Sequence, residues 1–545
     1  MFHRPAPILA QYSRGRVDLS LLRRAGVTGA KVLLAAAYGA LVVMLPPSAI
    51  VWLAMPIVAM LLLTLWMLPD RATFPLVAIE RVFLVFLVLS VLWPVYLAVD
   101  LPGLPWATPT RMALLALSFL LLYSVSTSSA LRNHLLTVAR ASGGMWTAFL
   151  LWEAMQVITL PFSVRLSESL RKLFDNQFQL VGVMFIGMIL FSRPGWASRA
   201  IKLLIFLAVV ASIDGLIELR LGAPPWSNYI PSFLRVDEGL LANVLGSQAR
   251  TADGLYRVRG PFLNSLLFAE FLALCVPFVV HEMVTARTLW KSFVMFAAFV
   301  IIFEAILTTQ SRLGLVGVVV TILAYLPLWA LRRWRADKSG LLGPSIVLGF
   351  PVIAVVMMVA IVSSNTLSVR ILGGGAAAAS TESRRIQREM AVPRILHNPI
   401  GYGLGQCGTV LGFTNPGGYL TIDSGFISTV LDIGVIGFFS FFGLCGLAAY
   451  HGARLFLQST DRELQLGGPL AVTMIVFITI KFVLSQENNH YIVFLLIAMQ
   501  LAFLARQRKL VDADGLVHPR PPLGSARHVT PSALAPALSV ARISG

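Results

Sequence analysis

The stretch Thr381–Gly437 reads TESRRIQREMAVPRILHNPIGYGLGQCGTVLGFTNPGGYLTIDSGFISTVLDIGVIG, and almost everything on either side of it is apolar. Its four arginines are Arg384, Arg385, Arg388 and Arg394. The stretch is rich in glycine, and the chain becomes apolar again after Asp423–Ser424. Because connections carry function more often than the elements they join, a polar segment of this length between apolar runs predicts a functional loop.

The composition predicts an all-α polytopic membrane protein. Of the 545 residues, 57% are hydrophobic and only 12% are charged, whereas about a quarter are charged in a typical soluble domain. Apolar runs of about 20 residues recur along the chain, each long enough to cross a bilayer. Hydrocarbon offers the backbone no hydrogen-bond partner, so these runs must be helices. The net charge of +18 does not indicate nucleic-acid binding, because the basic residues cluster between the apolar runs.

We expect about 12–14 transmembrane helices and a long, partly helical loop on the outer face. The candidate spans are 32–46, 50–68, 78–99, 111–128, 145–162, 176–191, 200–219, 262–282, 292–309, 313–331, 344–363, 424–450, 468–485 and 490–505. Residues 1–31 are predicted to form a cytoplasmic tail, and 32–506 the transmembrane domain, with outer loops at about 220–260 and 364–423. Residues 507–545 have the composition of a disordered cytoplasmic tail.

The basic residues predict the orientation of the spans through the positive-inside rule. With both termini in the cytoplasm, the inner connections carry Arg132 and Arg140; Arg193, Arg199 and Lys202; Arg287 and Lys291; Arg332, Arg333, Arg335 and Lys338; Arg454 and Arg462; and Arg506, Arg508 and Lys509. The exception is Arg165, Arg171 and Lys172, which fall on the outer side and would indicate that a nearby span is assigned wrongly.

Two arginines stand just before the span at 262–282, in the sequence RVRGPFLNSLLFAEF. A guanidinium group can hold a phosphate through two parallel hydrogen bonds and does not lose its charge. Arg257 and Arg259 therefore predict an anion site; alternatively, they are interfacial anchors that reach the headgroups. Glu270 is expected to face the bundle interior or a cavity, or to pair with a structural arginine.

The segment Thr308–Gly317, TTQSRLGLVG, is a polar turn between two apolar runs. Arg312 falls on the outer side and is a second candidate phosphate ligand; the alternative is a simple hairpin cap. Gly314 and Gly317 would let another helix or a ligand approach closely.

The opening stretch contributes further candidates at its start. Arg384 and Arg388 are four residues apart, so on a helix they share a face. Ile386 and Met390 would form the opposite, apolar face of an amphipathic helix at the membrane surface. The alternative is an interfacial helix whose charges are only solvated.

Two polar features follow in the same outer region. In HNPIGYGLG, at 397–405, three alternate glycines would let the backbone approach a ligand, although the strand and helix of a nucleotide fingerprint are missing. Asp423 is a candidate base for a sugar hydroxyl, or else the N-cap of the next helix, for which Ser424 also qualifies. The cluster QENNH predicts a hydrated turn, unless Glu487 or His490 lines the same cavity.

The order of these motifs resembles the O-antigen ligase and Wzy-type polymerase superfamily of bacterial cell-envelope proteins. The resemblance covers about 255–440, and its motifs are specific in their order, spacing and common outer placement. The residues that carry it are Arg257 with Gly260-Pro-Phe262, Thr309-Gln-Ser-Arg312, Asn398-Pro-Ile-Gly401-Tyr-Gly403, Asp423-Ser424 and Leu431-Asp-Ile-Gly434-Val-Ile-Gly437.

The resemblance implies a membrane glycosyltransferase of polysaccharide biosynthesis that uses no metal and no cofactor, in the bacterial inner membrane, with its active site on the periplasmic side. Members of the superfamily take a glycan from an undecaprenyl-diphosphate carrier. Ligases pass it to the lipid A core, and polymerases pass it to the next carrier-linked repeat unit. The partners implied are the carrier-linked glycan, the lipid bilayer and polysaccharide export or chain-length-control proteins, and no nucleic acid.

One departure from the superfamily pattern favours a polymerase of exopolysaccharide or O-antigen over the alternative, an O-antigen ligase. Ligases usually carry His-Asn where this chain has Asp423-Ser424. The predicted diphosphate ligands are Arg257, Arg259, Arg312, Arg384, Arg385 and Arg388, and the predicted catalytic residues are Asp423 and Arg312. The rival interpretations are a transporter of lipid-linked glycans and a non-catalytic assembly partner. Against a transporter, the charges gather on one face instead of at mid-depth between two related halves.

Overall fold

The computed structural model describes residues 59–71, 73–99, 107–234, 254–363, 378–414 and 418–508. Within these ranges the protein is an all-α polytopic membrane protein, and nine of its helices are long and apolar enough to cross a bilayer. The predicted fold class is therefore confirmed. The predicted span 32–46, the first nine residues of the span 50–68 and nearly all of both tails lie outside the described residues.

Fifteen helices are labelled here in chain order within the described ranges. They are α1 Leu76–Leu92, α2 Pro109–Thr127, α3 Ser129–Ala139, α4 Gly143–Ile158, α5 Leu166–Phe191, α6 Trp196–Leu221, α7 Ser265–Val284, α8 Leu289–Thr308, α9 Arg312–Ala336, α10 Leu342–Ser363, α11 Ala378–His397, α12 Cys407–Leu411, α13 Gly425–Gln458, α14 Gly467–Lys481 and α15 His490–Gln507. The helices α11 and α12 belong to the loop between α10 and α13, which is partly helical as expected.

The long helices run alternately between two ends of the bundle. The loop end holds Arg257, Arg312 and Asp423, and the opposite or basic end holds Arg332 and Arg506. Contacts between distant segments fix this arrangement at the basic end, where Arg132 pairs with Asp70, Arg193 with Glu80 and Arg506 with Glu463. The basic clusters predicted on one side of the membrane accordingly gather at one end.

The segment around Arg165, Arg171 and Lys172 lies at the loop end, and the nearby predicted span, 176–191, does not begin where the helix begins. Instead α5 begins at Leu166, earlier than predicted, and includes a π-helical segment at Gln177–Gly182. Lys172 is paired with Glu487 at 2.6 Å between Nζ and Oε2. A specific partner therefore accounts for a positive charge on this end.

The centre of the bundle is α15, in which every residue from His490 to Ala505 is buried. It packs against the second half of α5 and against α13 and α14. By contrast, α8 exposes apolar side chains such as Trp290 and Phe293, as expected of a helix that faces lipid. The close approach predicted for Gly317 is made by a helix, because a Cβ there would lie 2.6 Å from Ala273 of α7.

Candidate functional site

The turn between α8 and α9 presents Arg312 at the loop end. Gln310 has a φ of +52°, a left-handed conformation that is costly for a residue with a side chain. The Thr309 hydroxyl accepts a hydrogen bond from the Ser311 N–H, which stabilises the turn. Arg312 is then the first residue of α9, half-buried, and it has no carboxylate partner within the described residues.

Arg257 lies against the same turn. Its Nε donates a hydrogen bond to the Thr309 carbonyl at 3.4 Å, and the Val258 N–H donates to the Thr308 carbonyl at 3.2 Å. Burial lowers the pKa of Arg257, although an arginine remains charged at any physiological pH. Among the residues described, no carboxylate neutralises it. Arg257 and Arg312 therefore place two uncompensated positive charges around one turn.

Arg259, in contrast, is occupied by the protein itself. It is 4% exposed, and its Nε lies 3.6 Å from Oε1 of Glu218 on α6. The same carboxylate accepts the backbone N–H groups of Arg259 and Gly260 and the hydroxyl of Tyr256. Glu218 thus anchors the segment that carries Arg257, and Arg259 is held in the anchor.

Arg384 brings the loop to this turn. Its guanidinium lies close enough to Arg312 for the two positive charges to repel each other. On its other side, Nε of Arg384 lies 3.8 Å from Oδ2 of Asp423, and the two side chains are 32% and 31% exposed. The turn and the loop therefore meet at a half-buried group of positive charges with one carboxylate.

Asp423 does not cap helix α13. The N-cap position of α13 belongs to Ser424, and no side chain there makes a capping hydrogen bond. The Asp423 N–H is held at 2.9 Å by the side-chain oxygen of Gln387, which is itself buried on α11. Partial burial raises the pKa of the Asp423 carboxyl above its ordinary value, while the charge of Arg384 acts in the opposite direction.

Arg385 and Arg388, the other two loop arginines predicted as diphosphate ligands, are not joined to this group by any contact among the described residues. Arg385 is exposed and pairs with Glu382 at 2.6 Å and Glu389 at 2.7 Å on its own helix. Arg388 is exposed as well, and no carboxylate partner is found for it in the described part of the chain. The structure thus brings Arg257, Arg312, Arg384 and Asp423 together, pairs Arg259 and Arg385 with other carboxylates, and leaves the role of Arg388 a prediction.

The side of α11 that packs against the protein does not include Ile386, and the contact of an apolar face with the membrane surface stays a prediction. Ile386 is exposed, whereas Gln387 and Ala391 are buried. Met390 and Ala391 pack against a small cluster that includes Leu411 and Leu431. The buried face of α11 is consequently directed at α12 and α13, where the protein offers apolar partners.

The glycine-rich segment 399–405 packs against a broken helix. Gly434 interrupts α13 with a φ of +73°, and a side chain there would overlap the Ile400 carbonyl. A Cβ at Gly401 would lie 2.6 Å from the Gly434 nitrogen. Backbone groups that lose their helical partners at the break bond to the loop instead. The Leu431 carbonyl accepts the Tyr402 N–H, and the Val435 N–H donates to the Pro399 carbonyl. The loop therefore fills the gap in the helix.

Asp432, which the sequence did not single out as a site residue, fastens the same loop. One carboxylate oxygen accepts the Gly405 N–H at 2.9 Å, and the other accepts the Cys407 N–H at 2.7 Å. On the other side of the loop, the Ser169 hydroxyl donates to the Leu404 carbonyl at 2.8 Å. We call this set of contacts the loop clamp; it comprises Asp432, Ser169 and the 403–407 backbone.

A cavity of about 30 Å³ with a mixed polar and apolar lining lies beside the loop clamp, roughly the room of one or two water molecules. Its lining includes Asn176, Asp432, Glu487 and His490. Partial burial raises the pKa of Glu487, but Lys172 and the other nearby positive groups together lower it to about 2. Glu487 and His490 of the QENNH cluster therefore line a cavity, but it is smaller than a sugar, and the arginine group and Asp423 do not line it.

The rest of the QENNH cluster closes a buried polar network. Glu270 is fully buried and pairs with Lys481 at 2.9 Å, and it also accepts a hydrogen bond from Asn489. Gln486 accepts a hydrogen bond from Asn264, which caps α7. Glu270 thus has a structural partner, a lysine instead of the expected arginine.

Comparison with known proteins supports the resemblance over part of the chain. A family model described as O-Antigen ligase matches residues 297–442, roughly a quarter of the sequence. The matched segment includes Arg312, Arg384, Asp423 and Gly434, whereas Arg257 lies before it. No curated protein matches the chain. The match confirms the predicted superfamily resemblance and supports a cell-envelope glycan ligase- or polymerase-type function.

Proposed function

We propose that the protein is a glycan polymerase of the bacterial cell envelope. It would transfer an oligosaccharide from undecaprenyl diphosphate onto another carrier-linked repeat unit at the periplasmic face. The observation that carries the proposal is the group of Arg257, Arg312 and Arg384 around Asp423. Three guanidinium groups with a single carboxylate leave an excess of positive charge in a half-buried place, which suits a diphosphate.

The reaction is a displacement at the anomeric carbon of the donor sugar. The acceptor hydroxyl oxygen forms the new bond to that carbon, and the bond from the carbon to the diphosphate oxygen breaks. The electron pair leaves with undecaprenyl diphosphate, and the hydroxyl proton passes to the Asp423 carboxylate. The raised pKa of Asp423 makes it a stronger base than an ordinary aspartate.

The arginines stabilise the charge that develops on the leaving diphosphate. Arg257 and Arg312 are fixed by the turn between α8 and α9, so they need little reorganisation during the reaction. Removing one preorganised charge-stabilising donor typically lowers kcat by about 10²–10³. A comparable loss is expected for each arginine of the group.

The position of the group agrees with a lipid-linked donor. Arg312 and Asp423 stand next to the first residues of α9 and α13, at an end of the bundle. A diphosphate at the headgroup level would reach them from the bilayer while its lipid tail remains in the hydrocarbon. The loop end would then face the periplasm, because the basic end has the charge expected of the cytoplasmic side.

A polymerase is favoured over an O-antigen ligase by the residues next to α13. Asp423-Ser424 replaces the His-Asn pair that ligases usually carry, and Asp423 is free of a capping role. The break at Gly434 does not favour a transporter, although transporters use broken helices. Here the segment 399–405 takes up backbone hydrogen bonds of the break.

The test is an analysis of lipid-linked intermediates in a strain that lacks the gene. A polymerase predicts accumulation of single carrier-linked repeats, whereas accumulation of polymer on the carrier would identify a ligase. The strain is then complemented with Arg312→Gln, Arg384→Gln or Asp423→Asn, each checked for normal membrane insertion. Arg165→Gln is the matched control, because Arg165 is exposed at the same end and, within the described residues, forms an ion pair with Glu168 alone. Full-length polymer from the Arg312 and Arg384 variants would refute the diphosphate site.

A further inference from the structure

A second cavity, of about 100 Å³, lies at the basic end between the last turns of α13 and α15. Its volume is several times that needed for one water molecule. The side chains that line it are His451, Arg454, Leu455, Gln458, Leu504, Gln507 and Arg508. Two arginines, a histidine and two glutamines make this lining polar and basic.

The two arginines of this cavity have no counter-ion within the residues that the structure describes. Both Arg454 and Arg508 are exposed, and both lie close enough to His451 to act on it electrostatically. The neighbouring Arg506 shows the contrast, because it pairs with Asp461 at 3.5 Å and with Glu463 at 2.8 Å. Among the described residues, the carboxylates Asp461 and Glu463 are thus directed at Arg506 and do not neutralise the cavity.

His451 connects the cavity to the start of another helix. Its Nε2 lies 3.2 Å from the hydroxyl oxygen of Ser142, the N-cap of α4. The positive end of the α4 dipole therefore adds to the two guanidinium charges. The contact also fixes one nitrogen of the ring, while Nδ1 makes no protein hydrogen bond in the described part of the chain.

We propose that this cavity binds a phosphate group, and that the phosphate belongs to the headgroup of an anionic phospholipid. Basic pockets between transmembrane helices on the cytoplasmic side recognise such headgroups, and arginine suits phosphate better than lysine does. Glutamine side chains supply further hydrogen-bond donors, and Leu455 and Leu504 give the cavity an apolar wall. Free phosphate shares the same chemistry. The proposal does not depend on the proposed function, since the cavity lies at the other end of the bundle.

The experiment measures binding to the purified full-length protein in detergent. Phosphatidylglycerol, phosphatidylcholine and inorganic phosphate are titrated separately, and bound lipid is counted by native mass spectrometry. The variants are Arg454→Gln, Arg508→Gln and the double variant, with Arg287→Gln as matched control. Arg287 is exposed at the same end and does not line the cavity. Size-exclusion profiles establish that each variant remains folded.

We expect phosphatidylglycerol to bind more tightly than phosphatidylcholine, and each single substitution to weaken it about fivefold. The double variant should bind about 25-fold more weakly, and Arg287→Gln should bind like the unchanged protein. Binding of inorganic phosphate that depends on the same arginines, without lipid selectivity, would keep the phosphate site but overturn the lipid source. Equal phosphatidylglycerol binding by the double variant and the control would overturn the site. If the double variant fails to fold, the two single variants replace it in this comparison. The site is then overturned if both bind phosphatidylglycerol as tightly as Arg287→Gln does.

Discussion

Replacing Asp432 should release the segment 403–407 from α13 while leaving the bundle intact. The Asp432 carboxylate accepts two backbone N–H groups, at 2.9 and 2.7 Å, and it lies about 10 Å along α13 from Gly425. A hydrogen bond to a charged group contributes about 1.5–3 kcal/mol. The two bonds together give about 3–6 kcal/mol, and non-additivity between neighbouring groups makes the lower figure the better expectation.

Two substitutions of Asp432 separate the contributions of the two hydrogen bonds that its carboxylate accepts. Asp432→Ala removes both acceptors, so opening of the loop should become easier by about 3 kcal/mol, or more than a hundredfold in population. Asp432→Asn keeps one carbonyl oxygen that can accept one N–H, so roughly half of that free energy should be lost. Ser169→Ala, on the other side of the loop clamp, removes one neutral hydrogen bond to the loop, worth about 1 kcal/mol, and also the bond between the Ser169 and Ser163 hydroxyls.

Hydrogen exchange followed by mass spectrometry measures these openings directly. Peptides covering 399–411 should exchange fastest in Asp432→Ala, more slowly in Asp432→Asn and slowest in the unchanged protein. Asp337→Ala is the matched control, because that carboxylate also accepts two backbone N–H groups, from Ser339 and Gly340, in an exposed turn at the basic end. It should leave the 399–411 peptides unchanged. Unaltered exchange of these peptides in Asp432→Ala would refute the loop clamp.

Three further predictions concern the site and the bundle. Under the proposed function, the pH profile of kcat/KM for transfer should have an acid limb above the ordinary aspartate pKa of about 3.9, because Asp423 would have to lose its proton to act as a base and its pKa is raised. Arg384→Gln should move this limb to higher pH, since the lowering effect of the cation is lost; a shift to lower pH would contradict the assignment. Gly434→Ala should lower the melting temperature and the yield of folded protein, because a Cβ overlaps the loop backbone; a Tm equal to that of Gly443→Ala, whose Cβ meets no neighbour, would argue against the contact. Lys481→Met should destabilise the bundle by about 3–5 kcal/mol by leaving Glu270 charged and unpaired, and the added substitution Glu270→Leu should restore most of the loss in a double-mutant cycle of denaturant unfolding.

The spans and their alternation could be predicted because each depends only on local composition. A run of apolar residues must be a helix in hydrocarbon, and the basic connections then divide the ends. Pairing across the bundle has no such local signal. Lys172 on α5 pairs with Glu487 just before α15, and the sequence around either residue does not indicate which residue is its partner. From the sequence, the positive charge of Lys172 at the loop end is therefore an exception to the positive-inside rule, and only the fold shows the carboxylate that accounts for it.

The arginine group was predicted only in part, for a similar reason. Arg257, Arg312 and Arg384 come from three segments whose proximity requires the fold, although each was recognisable as a cation at an outer helix end. Arg259, like Arg257, is an arginine just before a predicted span, but in the fold it is paired with Glu218 on α6. A hint for Asp432 was present, since a carboxylate within an apolar span is costly unless it has partners.

The polar stretch is fixed at two points, and this bears on catalysis. Asp423 and Gln387 fix its α11 part beside the arginines, and the loop clamp fixes its glycine-rich part in the break of α13. Arg384 is consequently held against Arg312 although the two charges repel each other. That repulsion is a cost in the empty site, and a bound diphosphate would remove it by lying between the charges. Under the proposed function, both fixed points would therefore increase the preference of the site for an anion, and the charge gained by the leaving diphosphate would strengthen it further.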